Sequence, residues 1–198
     1  MFKKLTKLIP NKKHTAMANL FFEAGYLAKI PRSQRKSNPY SVSEHSYRVM
    51  LIAYVLAKQQ TCDLEKVLVL SLFHDLPETR IGDLDFVHRR YTPKTAEVEA
   101  LADATQAVPQ LDPLTDYLVE LNSGKTIEAK IVRDADCLEE LVTEKEQLDA
   151  GDPRAHDWLE YSLKHKKLET KLAQTLANTI ATTHSDAWWH HIIHTKSW

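Results

Sequence analysis

Between its breakers the chain repeats apolar residues at spacings of three and four, as around "LEKVLVLSLF" at 64–73, and no stretch of useful length alternates them. That period is helical. It predicts helices over about 14–30, 42–60, 64–76, 94–108, 111–122, 126–149, 154–182 and a short one near 185–195, with no convincing strand. Only four glycines interrupt 198 residues. The expected fold class is all-α.

Polar residues on otherwise apolar faces carry the chemistry. "SVSE" at 41–44 matches a capping box, in which the serine hydroxyl and the glutamate carboxylate satisfy unpaired amides, so His45 falls in the first full turn of the second helix. At about 100° per residue, Val42, His45, Val49, Ile52, Ala53 and Leu56 share one stripe, which turns His45 inward. The third helix is apolar nearly all round. Its exceptions, Ser71, His74, Asp75 and, if the helix ran on, Glu78, fall within an arc of roughly 100°. Pro77 disfavours helical geometry at Leu76 and removes an amide, so Glu78 alternatively opens a new short turn.

A buried, ionised carboxylate without a partner costs several kcal/mol, so "HDLPE" at 74–78 requires something to satisfy it. Two answers remain open from spacing alone. One is a His-Asp pair closed by hydrogen bonds inside a helical core; the other is a divalent cation held by two imidazoles and a carboxylate. In the helix 126–149, Ile127, Ile131, Ala135, Leu138 and Val142 define the apolar stripe, and periodicity places Asp134 nearer to it than Asp136.

Composition narrows the classes. Lys plus Arg number 26 and Asp plus Glu 27, a balance that gives no overall attraction to a nucleic acid polymer or an anionic membrane. No apolar run reaches the roughly 18 residues that span a bilayer, and "MFKKLTKLIPNKK" lacks an apolar core of useful length. Cys62 and Cys137 form no CxxC pair, which fits a reducing, cytoplasmic setting. With 43% hydrophobic and 27% charged residues and no dividing linker, one domain over 1–198 is expected.

"SVSEHSYRV" with His45, "LFHDLPET" with His74 and Asp75, and "IVRDADCLEEL" with Asp136 resemble the H…HD…D pattern of HD-domain metal-dependent phosphohydrolases. The run "KIPRSQRKSNPYSVSEHSYRV" followed by "HDLPETRIGDL" is similar to the 5'-deoxynucleotidase branch of that family, over about residues 16–150. The resemblance implies an HD-domain helical bundle, usually a homodimer, with the C-terminal helices of 151–198 packing on the motif-bearing core or on a dimer partner. It implies that His45, His74, Asp75 and Asp136 hold one divalent metal (Mn, Co, Mg, Fe, Ni or Zn). It implies phosphate removal from (deoxy)ribonucleoside 5'-monophosphates, the deoxy forms being the substrates of that branch, with Glu78 acting on the water or leaving group, Asp83 contacting the sugar or organising the site, and Arg32 facing the phosphate. The family wording D-x-L-E falls on Asp136 to Glu139 and favours Asp136 over Asp134. One departure is the aromatic residue that often follows the "PR" motif, replaced here by Ser33 and Gln34, which bears on the choice between deoxyribose and ribose.

The tail "HSDAWWHHIIHTKSW" places His190 and His194 four apart with His191 between them, but Trp188, Trp189, Ile192 and Ile193 point to a packing helix. Arg89, Arg90 and Tyr91 read as a solvated loop, and 154–170 as a charged helix around Trp158, Leu159 and Leu163. Alternatives to the monophosphatase are an HD enzyme for cyclic nucleotides, triphosphates or alarmones, and a non-catalytic helical dimer that keeps a structural metal.

Overall fold

The computed structural model describes residues 11–32 and 40–195, with no account of the side chains of His191, His194 and Thr195. The helices are α1 (Lys12–Gly25), α2 (Val42–Ala57), α3 (Leu64–Phe73), α4 (Glu78–Ile81), α5 (Phe86–Tyr91), α6 (Ala96–Thr105), α7 (Leu114–Ser123), α8 (Ile127–Asp149), α9 (Ala155–His165), α10 (Lys171–Thr182) and α11 (Ala187–Thr195). Single 3-10 turns lie at Tyr26–Lys29 and Pro109–Leu111. No strand occurs among the described residues; a lone antiparallel bridge joins Pro31 and Ser41. None of the described helices is long and apolar enough to cross a membrane.

Helix α8 is the central post. It packs against α2, α3, α7, α9 and α10, and its inward residues Ile131, Val132, Ala135 and Leu138 are almost wholly buried against Val49, Ala53 and Leu56 of α2 and Val67 and Leu70 of α3. Burying each large aliphatic side chain stabilises the fold by about 1.5–3 kcal/mol. Helix starts follow the local chemistry. Ser41 accepts from the Glu44 amide while the Glu44 carboxylate returns to the Ser41 amide, and Asp63 and Thr126 cap α3 and α8 in the same sense.

Two expectations are corrected. The segment 154–182 is not one helix: the chain breaks at 166–170, because the buried Asp134 carboxylate on α8 accepts the amides of Glu169 (2.8 Å) and Thr170 (2.7 Å), and Thr170 then caps α10. Arg89, Arg90 and Tyr91 lie not in a loop but in α5, started by Asp85, whose side chain accepts the amides of Val87 and His88. Helix α3 ends at Phe73, and after Pro77 the chain forms the one-turn α4 with Glu78 at its start.

Helix α11 leaves Trp188, Ile192 and Ile193 exposed on the isolated chain. His191 and His194 lie outside the residues whose side chains are described.

Candidate functional site

Three elements converge. Helix α2 delivers His45, the end of α3 delivers His74 and Asp75, and the middle of α8 delivers Asp136. His45 Nε2 lies 3.3 Å from Asp75 Oδ2 and 3.2 Å from Asp136 Oδ1, and His74 Nε2 lies 3.3 Å from Asp75 Oδ2. One nitrogen or carboxylate oxygen from each of His45, His74 and Asp136 falls within 4.8 Å of the others.

The far side of each imidazole fixes its orientation. His74 Nδ1 donates to the Ser71 carbonyl at 2.8 Å, and His45 Nδ1 lies 2.5 Å from Glu139 Oε2. Both Nε2 atoms are thereby turned to the centre, where His45 Nε2, His74 Nε2 and Asp75 Oδ2 are buried with no hydrogen-bond partner. Four nitrogen and carboxylate oxygen atoms converge here, three of them buried without a hydrogen-bond partner, an arrangement that suits a divalent cation better than a closed hydrogen-bonded core pair.

Glu139 is the residue that sequence reasoning passed over. It is completely buried, and besides His45 it accepts Tyr40 Oη at 2.8 Å and Thr143 Oγ1 at 3.1 Å. Burial would raise its pKa, but the bond from His45 outweighs this and holds the carboxyl below its usual range. The signal was present in the D-x-L-E wording: Glu139 sits three residues after Asp136, on the neighbouring face of the same helix.

Arg32 closes the site from the loop before α2. Its backbone amide donates to Tyr40 O (2.6 Å) and the Val42 amide donates to Ile30 O (2.9 Å), which ties Arg32 to the start of α2. The guanidinium reaches Asp83 at 3.0 Å, Asp136 at 3.3 Å, Glu78 at 3.8 Å and Asp75 at 3.9 Å. Burial opposes its charge, yet these carboxylates more than compensate and hold it protonated. For Asp136, burial is likewise outweighed, by the His45 imidazole 3.2 Å away and by Arg32, so its carboxyl stays well below the usual range.

Glu78 behaves oppositely. It is 6% exposed, and burial together with the adjacent Asp75 charge pushes its pKa up to about 9. Gly82, with φ 74° and ψ 167°, occupies a conformation essentially reserved for glycine, and this turn at the end of α4 brings Asp83 against Arg32.

Asp134, which periodicity favoured, is buried as that pattern requires, but it faces α10 and is spent on the two amides described above. Asp136 lies on the side of α8 that faces the histidines. Ser33 and Gln34, where the family aromatic is replaced, lie outside the described residues.

Two clefts flank the Arg32–Asp136 edge. One, of about 270 Å³, is polar and includes His74, Asp75, Glu78, Arg89, Asn122 and Arg133. The other, of about 320 Å³, includes Asp83, Leu84, Phe86, Trp158, Tyr161 and Lys166.

A family profile described as HD domain matches residues 24–181. The chain is 30% identical over 145 residues to 5'-deoxynucleotidase HDDC2 of Bos taurus, covering 68% of this chain and 70% of that protein. Among solved structures, a conserved hypothetical protein from Pyrococcus furiosus superposes with a TM-score of 0.72 at 29% identity, over 84% of this chain and 99% of that one. The cyanophage S-2L HD phosphohydrolase DatZ, bound to dA and one catalytic Zn2+ ion, shares the fold with a TM-score of 0.52 at 22% identity, over 82% of this chain and 96% of that one.

Proposed function

The chain belongs to the HD domain family, and from that premise we propose that it is a divalent-metal-dependent phosphohydrolase that removes phosphate from nucleoside 5'-monophosphates. The reading rests on one observation above all: unsatisfied nitrogen and oxygen atoms of His45, His74 and Asp75 converge with Asp136 beside a partly buried, charged arginine. A relative that is a 5'-deoxynucleotidase supports the substrate class.

We assign His45, His74, Asp75 and Asp136 as ligands of one divalent ion. Two imidazoles with two carboxylates suit Mn, Co, Fe, Ni or Zn better than Mg. When bound, such an ion neutralises clustered carboxylates and polarises phosphoryl oxygens. The chain's own residues supply the rest. Arg32, charged and present in both clefts, offers its planar donors to the phosphate oxygens. Glu78 carries the proton that the leaving 5'-oxygen needs as the P–O bond breaks and water adds to phosphorus. Its pKa, raised to about 9 by burial and the Asp75 charge, would fall toward the working range with a cation held by His45, His74, Asp75 and Asp136. Asp83, already bonded to Arg32, is placed to accept from a sugar hydroxyl in the second cleft.

We further assign the protein to the cytoplasm as a homodimer. Free Cys62 and Cys137 fit a reducing compartment. Tyr47, Leu51, Tyr54 and Val55 form an exposed apolar stripe on the outer face of α2, of the kind that a second copy covers.

The test is phosphate release from deoxy- and ribonucleoside 5'-monophosphates by metal-stripped protein resupplied with Mn, Co, Mg or Zn. Arg89 and Arg133 in the polar cleft are a specific reason to include the di- and triphosphates. Release from monophosphates with one of these metals is the expected result; release only from triphosphates would transfer the assignment to that class. Glu78→Gln should lower kcat by about 10²–10⁴-fold while metal content is unchanged.

A further inference from the structure

The second cleft runs from Arg32, Asp83 and Asp136 to a wall of aromatic side chains. Phe86, at the start of α5, is 66% exposed, and Trp158 on α9 is only half-buried; their ring centroids lie 6.5 Å apart. Tyr161, one turn further along α9, lines the same space and is itself exposed. Exposed rings from two separate elements, meeting beside a charged site, are not accounted for by the core: in α9 it is Leu159 that is buried there.

We propose that Phe86 and Trp158 form the nucleobase subsite, which rests on the nucleotide reading above. The phosphate then lies at Arg32, the sugar at Asp83, and the base beyond it on the aromatic wall. The two rings are tilted by 50° and already in contact, so the base stacks on their cleft surface and does not slide between them. The polar cleft is a poorer host, since it is lined by Arg133, Glu97 and Asn122 with no Phe, Tyr or Trp ring. In the aromatic cleft, Lys166 is paired with Glu140. That pairing ties up two of the polar groups lining the cleft, and stacking on the rings favours the larger purine bases over pyrimidines.

The experiment compares dAMP with deoxyribose 5-phosphate, which lacks the base, on wild type, Phe86→Ala, Trp158→Ala and Trp158→Phe. Base–aromatic stacking predicts a rise in the KM for dAMP of about tenfold in each alanine variant. The kcat should stay near wild type, deoxyribose 5-phosphate should be handled equally by all four proteins, and Trp158→Phe should recover most of the affinity. Phe86→Ala guards against a folding effect at Trp158, because Phe86 is exposed on a one-and-a-half-turn helix. In parallel, deoxyadenosine should quench the fluorescence of wild type but not of Trp158→Phe. Equal losses on both substrates, unchanged KM in both alanine variants, or a dAMP-specific loss in Arg133→Ala instead would overturn the subsite. If no phosphate ester is turned over while deoxyadenosine still quenches Trp158, the phosphohydrolase reading fails and the subsite stands. If turnover is robust but wild type treats dAMP and deoxyribose 5-phosphate alike, the subsite fails and the reading stands.

Discussion

Replacing Glu139 by glutamine should weaken metal binding without unfolding the protein. The substitution is isosteric, so it opens no cavity among the fully buried side chains around it. It removes the charge that faces His45 Nδ1 at 2.5 Å and Arg48 Nε at 3.6 Å, and leaves Tyr40 and Thr143 with an amide in place of a carboxylate. A hydrogen bond to a charged group contributes about 1.5–3 kcal/mol and a neutral one about 0.5–1.5, so the expected loss is about 1–2 kcal/mol. At 1.4 kcal/mol per decade this is a fall in metal affinity of about 5- to 30-fold, within the range seen when the residue that orients a metal-binding histidine is changed. Competition between each protein and a chromophoric chelator for Mn or Zn reads the affinity directly. Circular dichroism of the metal-free proteins checks that both are folded. A Glu139→Gln protein that holds the metal within about twofold of wild type would refute the argument that this carboxylate aims and charges His45.

The two aspartates of "DAD" should separate cleanly. Asp134→Ala loses two charge-assisted bonds to the Glu169 and Thr170 amides and should cost about 3 kcal/mol by urea denaturation, with metal affinity per folded molecule preserved. Asp136→Ala should do the reverse, and a shared phenotype would contradict the assignment. Gly82→Ala forces a side chain into a backbone region of φ 74°, so it should destabilise by about 1–3 kcal/mol and raise KM by displacing Asp83; an unchanged melting temperature would show that the turn is not strained. For Asp149, burial is outweighed by the bonds from Lys145 and the Ser185 amide, which hold its pKa at about 2. A depressed carboxylate contributes its stability above its unfolded pKa and loses it as pH falls through the folded one. Asp149→Asn should therefore cost about 1 kcal/mol at pH 7, after allowance for solvent screening, with a smaller difference at pH 3; a constant difference across that range would rule out the charge as its source.

Much of this was legible because local chemistry and tertiary packing agree. The capping box at Ser41, the aspartate before Leu64 and the threonine before Ile127 start α2, α3 and α8 where the sequence places them, and the inward stripe of α2 carries His45 into the interior at 0% exposure. The break between α9 and α10 was not legible, since "KKLET" carries no glycine or proline and the agent that interrupts it, Asp134, lies more than thirty residues upstream. Helix α5 escaped for the opposite reason: six residues are too few to show a period, and its only local mark is Asp85. On α8, periodicity correctly turned Asp134 inward but could not tell that the histidines face the partly exposed side that carries Asp136. Helical spacing ranks burial and is blind to what a buried carboxylate meets. The same blindness hid Glu139, whose partners Tyr40 and His45 are brought to it by a different helix and the loop before it.

The most direct measurement is the rate of phosphate release from dAMP as metal-stripped protein is titrated with Mn, beside His74→Ala treated identically. The account predicts a rate that rises with added metal, levels at one equivalent per chain in wild type, and stays at background in the variant. A rate that is independent of metal, or a His74→Ala protein that matches wild type at each point, would contradict it.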